Sequence, residues 1–331
     1  MTIRLICAAH SPLMNYLQPD PAVAAPVHAT LTQLAEEVRT YDPELIVIFG
    51  TDHFAGFLYD LMPPFCIGLR ARAMGDFDIS KAGQSYAVPE AQALALAESV
   101  YAAGLDAAIS YRMNADHGFA QSLEQVAGGV GRYPTIPIFI NCAAPPLPSM
   151  ARVRKLGVAV GAWLATLDQR VLIIGSGGLS HDPPIPRIGV APRQVEELLI
   201  AGRDASPERM QAKLRRNIKV AEEMAEGTGP ARPLNPQWDR WLVDCLLAGR
   251  LDEVAALESD AIARDAGVGG QEVRTWLAAF AALSAAGRYH GELRHYEAIP
   301  HWNAGFGIVS ATSVKDATTP KSAATTGDAA A

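Results

Sequence analysis

The residues of this chain best placed to do chemistry are four histidines at the ends of apolar, strand-like runs: His10, His53, His117 and His181. Imidazole is the commonest metal ligand in proteins and the commonest general acid or base near neutral pH. In α/β proteins, strand ends deliver side chains to one rim of the sheet, where sites are built. A lone histidine there is more often structural, but four of them predict a metal site with proton-transfer groups beside it.

Acidic residues close to these histidines are weaker candidates. Asp52, Asp116 and Asp182 each lie next to one histidine and could orient an imidazole from behind. Neighbouring residues of an extended segment point to opposite sides, however, so none is expected to bond the ring beside it. Glu272 opens a helical segment, where the helix dipole ordinarily stabilises an acid. On the residues alone it is expected to be such an acid, unless a metal site with two histidines requires a carboxylate.

The glycine-rich segment from Gly175 to Gly178 follows a strand and invites comparison with a phosphate-binding loop. A dinucleotide fingerprint would need glycine at position 180, where the chain has Ser180. The sequence also contains neither a P-loop motif nor a nucleophile elbow. We therefore expect these glycines to let the backbone pass close to the site, while Ser180 and His181 turn inward.

The elements that must position these side chains alternate between apolar runs and segments of helical periodicity. The predicted strands are 3–9, 44–49, 135–141 and 171–175, and the predicted helices are 21–41, 89–103 and 150–167. Residues 192–287 are expected to be almost entirely helical, and residues 305–309 to form an edge strand. This order predicts an α/β fold: a three-layer α/β/α single domain with a mostly parallel central sheet, in which the first two strands pair, and a largely helical C-terminal part. The domain is expected to span 1–311 and to precede a disordered tail, 312–331.

Composition excludes several function classes. The chain has 331 residues, of which 49% are hydrophobic and 19% charged, as in a soluble globular protein with a sizeable core. A formal net charge of −7 without a basic patch argues against nucleic acid and anionic membranes as partners. The four cysteines form no C-x-x-C pair and are expected to be buried free thiols in a reducing cytoplasm. No apolar stretch approaches the length that spans a membrane.

Several motifs taken together resemble the class III extradiol ring-cleavage dioxygenases, over about Ile3 to Ala311. They are His10-Ser11-Pro12-Leu13, Asp52-His53-Phe54-Ala55-Gly56-Phe57, Asp116-His117-Gly118-Phe119 and Gly175-Ser176-Gly177-Gly178-Leu179-Ser180-His181. Any one of these motifs would be weak, but the set is highly specific.

The resemblance implies a non-haem Fe(2+) centre held by His10, His53 and Glu272. Such a triad fills one face of an octahedron and leaves three positions open, two for a catechol and one for O2. The resemblance also assigns acid–base roles to His117 and His181, with His181 expected as the base and His117 as the proton donor. The implied substrate is a catechol with a short carboxylated side chain at its 3-position, and the implied assembly is a homo-oligomer.

Two other functions stay open on the residues. One is a metal-dependent hydrolase or phosphorylase on a similar α/β sheet, which would prefer Zn²⁺ and consume no oxygen. The other is a non-catalytic interaction protein of the same superfamily, which would not need all five candidate residues. Oxygen uptake in the presence of Fe²⁺ and a catechol separates the three possibilities.

Overall fold

Ten strands and ten helices make up the part of the chain that the computed structural model describes, residues 2–76, 78–203 and 206–314. The strands are β1 (Thr2–Ala8), β2 (Leu45–Gly50), β3 (Phe65–Gly68), β4 (Ala71–Ala73), β5 (Ala108–Ser110), β6 (Met113–Ala115), β7 (Thr135–Ile140), β8 (Arg170–Ser176), β9 (Tyr289–Ile299) and β10 (Ala304–Ser313). The helices are α1 (Pro21–Tyr41), α2 (Glu90–Ala102), α3 (His117–Ala127), α4 (Met150–Leu164), α5 (Arg193–Ala201), α6 (Pro207–Ala225), α7 (Pro236–Leu247), α8 (Leu251–Ala255), α9 (Ser259–Ala266) and α10 (Val273–Ala285).

Eight of the strands form one mixed sheet in the order β5-β3-β7-β2-β8-β1-β10-β9, while β4 and β6 pair separately. Four of the seven neighbouring pairs are parallel, and they include the central run β7-β2-β8-β1. The remaining three pairs are antiparallel. The predicted α/β fold with a mostly parallel sheet is therefore confirmed.

Two details of the predicted topology are wrong. The strands β1 and β2 are parallel but do not pair, because β8 lies between them. The last strand is not an edge strand: β10 lies between β1 and β9, and β9 was not predicted. Strand β9 has a polar sequence, and its residues alternate between exposed and half-buried along much of its length. A search for apolar runs therefore does not find it.

Side chains that alternate along the strands supply two apolar layers, one on each face of the sheet. Leu5, Val47 and Ile173 belong to a core that also includes residues of α2, α4, α7 and α10. Ile6 and Ile48 point the other way and join a second core with α1 and α3. Helices thus cover both faces, which gives the three layers expected from the sequence.

Helix α10 is buried along most of its length, because every residue from Val273 to Leu283 is buried. Two glycines of α4 allow its close approach: a Cβ on Gly157 would lie 2.3 Å from the carbonyl oxygen of Ala278, and one on Gly161 would lie 2.1 Å from that of Ala282. A 3-10 turn, Gly269–Glu272, leads directly into α10. The packing of this helix therefore determines where Glu272 lies.

Residues 312 and 313, which the sequence analysis assigned to a tail, belong to strand β10. The rest of the predicted tail, from residue 315 onward, lies outside the described residues. All four cysteines are buried and unpaired, as expected. Within the described ranges, no helix has both the length and the apolar character needed to cross a membrane.

Candidate metal centre

The structure brings the five candidate residues together at one rim of the sheet. His10 and His53 lie just after β1 and β2, and His181 lies in the loop after β8. These three strands are parallel and adjacent, in the order β2-β8-β1, so their carboxyl ends meet at the same edge. His117 begins α3, and Glu272 ends the 3-10 turn before α10.

The ring of His10 is held from behind by a serine network. Its Nδ1 lies 3.0 Å from Oγ of Ser176, whose hydroxyl donates to the carbonyl of Gly118 at 2.5 Å. Because that hydroxyl proton is engaged, we infer that Nδ1 of His10 carries a proton and donates to Ser176. Nε2 then keeps its lone pair, and it lies 3.8 Å from Oε2 of Glu272. Burial lowers the pKa of His10 to about 4, so the ring is neutral, as a ligand must be.

The ring of His53 lies between two buried carboxylates. Its Nδ1 is 2.8 Å from Oδ2 of Asp116, and its Nε2 is 3.0 Å from Oε1 of Glu272. Burial lowers the pKa of His53, but Asp116 and Glu272 outweigh burial and raise it to about 10. The position between these carboxylates therefore favours a positive charge, which a proton or a metal ion can supply.

Glu272 is an ionised carboxylate in the interior. Its Oε2 accepts the backbone N–H of Gly178 at 2.8 Å, and its Oε1 lies 3.5 Å from Nε2 of His181. Burial opposes ionisation, but the charge of the nearby His181, together with hydrogen bonds from the imidazoles, outweighs it and holds the pKa of this carboxyl well below its usual range. A Cβ on Gly177 would lie 2.9 Å from the Cβ of Glu272, so glycine is required where this backbone passes.

The two predicted acid–base histidines have different supports. His117 Nδ1 lies 2.6 Å from a carboxylate oxygen of Asp76, and its backbone N–H donates to the other oxygen. His181 Nδ1 lies 2.9 Å from the carbonyl oxygen of Leu179, so Nδ1 is the donor and Nε2 faces Glu272. Burial, followed by the charge of His53, lowers the pKa of His117 well below its ordinary value. Burial also acts to lower the pKa of His181, but Glu272 raises it overall.

The three aspartates beside the histidines have separate roles. Asp116 bonds the distant ring of His53, while its neighbour His117 lies farther away, at 3.8 Å. Asp52 accepts three backbone N–H groups of the following loop, at residues 55–57. Asp182 accepts backbone N–H groups of residues 232 and 268. Of these three aspartates, Asp116 is the one that hydrogen-bonds to an imidazole.

Other supporting residues carried no signal in the sequence. Asp76 and Ser176 hold imidazoles, yet each stands in a segment without a motif for that role. Asp239 on α7 accepts both the backbone N–H and the hydroxyl of Ser180 at 2.7 Å, a partner that no sequence pattern indicated. Of the four other histidines, His28 is exposed, as its helical position suggested.

The geometry also contains a second possible ligand set. One ring nitrogen from each of His10, His53 and His117 lies within 4.8 Å of the other two. Three imidazoles would leave the metal charge without an anionic ligand, whereas the carboxylate of Glu272 lies close to Nε2 of both His10 and His53. The charge argument favours Glu272 as the third ligand.

Comparison with known families identifies the class of protein. Residues 4–307 match the family described as the catalytic LigB subunit of aromatic ring-opening dioxygenase. The match covers nearly the whole chain, so the protein belongs to this family. The enzyme class predicted from the sequence, an extradiol catechol dioxygenase, is thereby confirmed.

Curated relatives are similar over almost their full length. A protein of Photorhabdus laumondii is 51% identical over 314 residues, covering 95% of this chain and 98% of the relative. A protein of Cupriavidus pinatubonensis is 48% identical over 311 residues, covering 94% and 98%, and one of a Rhodococcus species is 46% identical over 316 residues, covering 96% and 100%. All three relatives are named 2,3-dihydroxyphenylpropionate/2,3-dihydroxicinnamic acid 1,2-dioxygenase.

A solved structure shares the fold. An uncharacterized protein from Escherichia coli superimposes with a TM-score of 0.51 at 14% identity, covering 94% of this chain and 99% of that one. This likeness supports the architecture of the sheet and its helices.

Proposed function

We propose that this protein is an Fe(2+)-dependent extradiol dioxygenase that opens the ring of 3-(2,3-dihydroxyphenyl)propionate, and of its cinnamate analogue, with O2. The observation that carries the proposal is the convergence of two imidazole Nε2 atoms on the carboxylate of Glu272, with His117 and His181 beside them. The substrate is taken from the names of relatives that are 46–51% identical over nearly the full chain.

The donor set fits ferrous iron. His10, His53 and Glu272 would hold the metal, with two neutral nitrogens and one anionic oxygen, which is the ligand set of many non-haem iron oxygenases. Bound iron would supply open positions for the catechol oxygens and O2, and a route for electrons between them. The serine behind His10 and the carboxylate of Asp116 behind His53 fix both rings with Nε2 directed at the centre.

We assign proton removal from the catechol to His181. Its Nδ1 is committed to the Leu179 carbonyl, so Nε2 is the atom that accepts a proton. Glu272 stabilises the resulting imidazolium, since it raises the pKa of this ring. A positioned base of this kind contributes on the order of 10²–10⁴ in rate.

We assign proton donation to the leaving oxygen to His117. Asp76 orients the ring through Nδ1, and burial lowers its pKa, so a proton received on Nε2 is given up readily. Its ring stacks on that of His53 at 4.2 Å between centroids, which places it beside a proposed metal ligand. The two histidines thus have different supports for their different assigned roles.

We also propose that the enzyme works in the cytoplasm as a homo-oligomer. The four buried, unpaired thiols fit a reducing compartment. Sedimentation of the purified chain tests the assembly, and a monomer across the working concentration range would contradict it.

The test of the function is an oxygen-electrode assay on protein loaded with Fe²⁺ under anaerobic conditions. Adding 3-(2,3-dihydroxyphenyl)propionate should consume one O2 per catechol and produce a yellow ring-opened dienoate. Protein loaded with Zn²⁺ is the control and should consume none. Absence of oxygen uptake by the iron-loaded protein, with any catechol, would refute the proposal.

A further inference from the structure

Lys213 lies on the side of helix α6 that faces the protein, whereas other charged residues of this helix, such as Arg215 and Arg216, are exposed to solvent. Helix α6 packs Leu214, Ile218 and Ala221 toward the core, next to the turn Pro300–Trp302. Lys213 is half-buried beside this stripe. Placing an ammonium group inward has a solvation cost, so a partner of opposite charge or a strong acceptor is expected there.

The ammonium group contacts the backbone of one candidate residue. Its Nζ donates to the carbonyl oxygen of His53 at 3.0 Å, although the two residues are 160 positions apart in the chain. Burial raises the pKa of the Asp76 carboxyl, and the charge of Lys213 is the largest influence that opposes it. The same charge acts on the ring of His117. Lys213 therefore stands at the side of the site formed by His53, Asp76 and His117.

The candidate site as a whole otherwise repels anions. Asp76, Asp116 and Glu272 all place carboxylates around the histidines. A substrate that brings one more carboxylate into this region needs a facing cation. Among the lysines and arginines of the described ranges, Lys213 is the one that hydrogen-bonds to any of the five candidate residues.

We propose that Lys213 binds the carboxylate of the substrate side chain and thereby selects catechols with an acidic chain over uncharged ones. The inference rests on the proposed function and deepens it. A lysine ammonium has three N–H donors, so a carboxylate can join the His53 carbonyl as an acceptor. Charge-assisted hydrogen bonds of this kind correspond to about 10- to 100-fold in binding.

The test compares two catechols of nearly equal size on iron-loaded enzyme: 3-(2,3-dihydroxyphenyl)propionate and 3-propylcatechol, which lacks the carboxylate. In Lys213→Met, the ratio of kcat/KM for the acid over the propyl compound should fall about 10- to 100-fold, mainly through KM. Lys213→Arg should restore part of this ratio. Lys219→Met is the matched control, because Lys219 lies on the same helix, is 74% exposed and pairs with Glu223; its ratio should stay unchanged.

A lysine that only supports the His53 backbone would lower both rates together, so an unchanged ratio in Lys213→Met overturns the proposal. Binding of 3-phenylpropionate, measured by calorimetry, is an independent check that needs no turnover. Lys213→Met should weaken this binding about tenfold, and unchanged binding would also overturn the proposal. If the wild type binds this acid through Lys213 but opens neither catechol, the proposed reaction fails and the carboxylate site stands.

Discussion

Glu272 and Lys213 reach the same site from two sides of the molecule that are built very differently. On the Glu272 side, α10 is buried from Val273 to Leu283. Two glycines of α4 bring its backbone against α10, and Thr275 and Trp276 donate to the carbonyl oxygens of residues 176 and 177. This interior has no room for displacement, so the carboxylate is held in one place.

On the Lys213 side, helices α5 and α6 have few buried apolar residues. Leu199 is the one buried residue of α5. Helix α5 and the residues just after it contact the loop after β2 through polar groups. These contacts include an Arg203–Asp60 ion pair at 2.7 Å and a backbone hydrogen bond from Tyr59 to Leu199. Segments with few buried apolar contacts open at low cost. The proposed ligand Glu272 therefore lies on the rigid side, and the proposed substrate contact Lys213 lies on the side with fewer buried apolar residues.

The largest expected effect comes from Glu272→Gln on the rigid side. The amide removes the proposed anionic ligand, so we expect iron to be lost and kcat to fall by about a thousand-fold or more. Iron content by absorption spectroscopy and oxygen uptake measure the two effects. A three-histidine site would instead keep iron in Glu272→Gln and lose it in His117→Asn, which would remove Glu272 from the ligand set.

The next effect separates proton transfer from metal binding. His181→Asn and His117→Asn should each retain iron while kcat falls by roughly a hundred-fold, because each variant lacks one positioned proton-transfer group. Iron content and steady-state oxygen uptake on the same preparations check this prediction. Full activity in either iron-loaded variant would exclude that histidine from the mechanism.

Gly161→Ala tests the rigidity of the interior directly. The new Cβ would lie 2.1 Å from the carbonyl oxygen of Ala282, so α4 and α10 must separate. We expect a loss of about 1–3 kcal/mol in the free energy of unfolding and a lower Tm. Val158→Ala, at an exposed position of the same helix, is the control and should change stability little. Equal stability of the two variants would show that α4 and α10 can separate at a lower free-energy cost than the structure indicates.

The smallest effect is expected at the Arg203–Asp60 ion pair, between the end of α5 and the loop after β2. Arg203→Gln breaks a largely exposed ion pair with Asp60, so the free energy of unfolding should change by less than about 1 kcal/mol. Arg203 lowers the pKa of Asp60, so this small stabilisation is present at neutral pH and is lost as acid protonates the carboxylate. Urea unfolding at two pH values measures it. Loss of iron in this variant would contradict the separation of the two sides.

The sequence predicts the strand-end histidines because two short-range signals coincide: an apolar run and the polar residue that ends it. His10, His53 and His181 do lie at one edge of parallel strands. Glu272 lacks such a signal, since an acid before a helix is ordinary, and it was singled out by the resemblance alone. Its buried position depends on how α10 packs against α4, which is a tertiary property.

The supporting residues show the same limit. Asp116 was considered for its neighbour's ring, yet it bonds His53 from 63 positions away. Asp76 acts on His117 across 41 positions and Lys213 acts on His53 across 160, and a single sequence contains no local pattern for such pairs. Strand order was mispredicted for a related reason: adjacency in the chain suggested that β1 and β2 pair, whereas β8 inserts between them.

The position of β1 has a consequence for how the enzyme is made. This strand carries His10 at its end, yet its two neighbours in the sheet, β8 and β10, are both synthesised much later. A nascent chain that has already emerged with His10 and His53 cannot assemble the candidate site until α10 and β10 have left the ribosome. Under the proposed ligand set, iron acquisition is thereby deferred to a completed domain, and a chain that ends before β10 leaves one side of β1 without its partner.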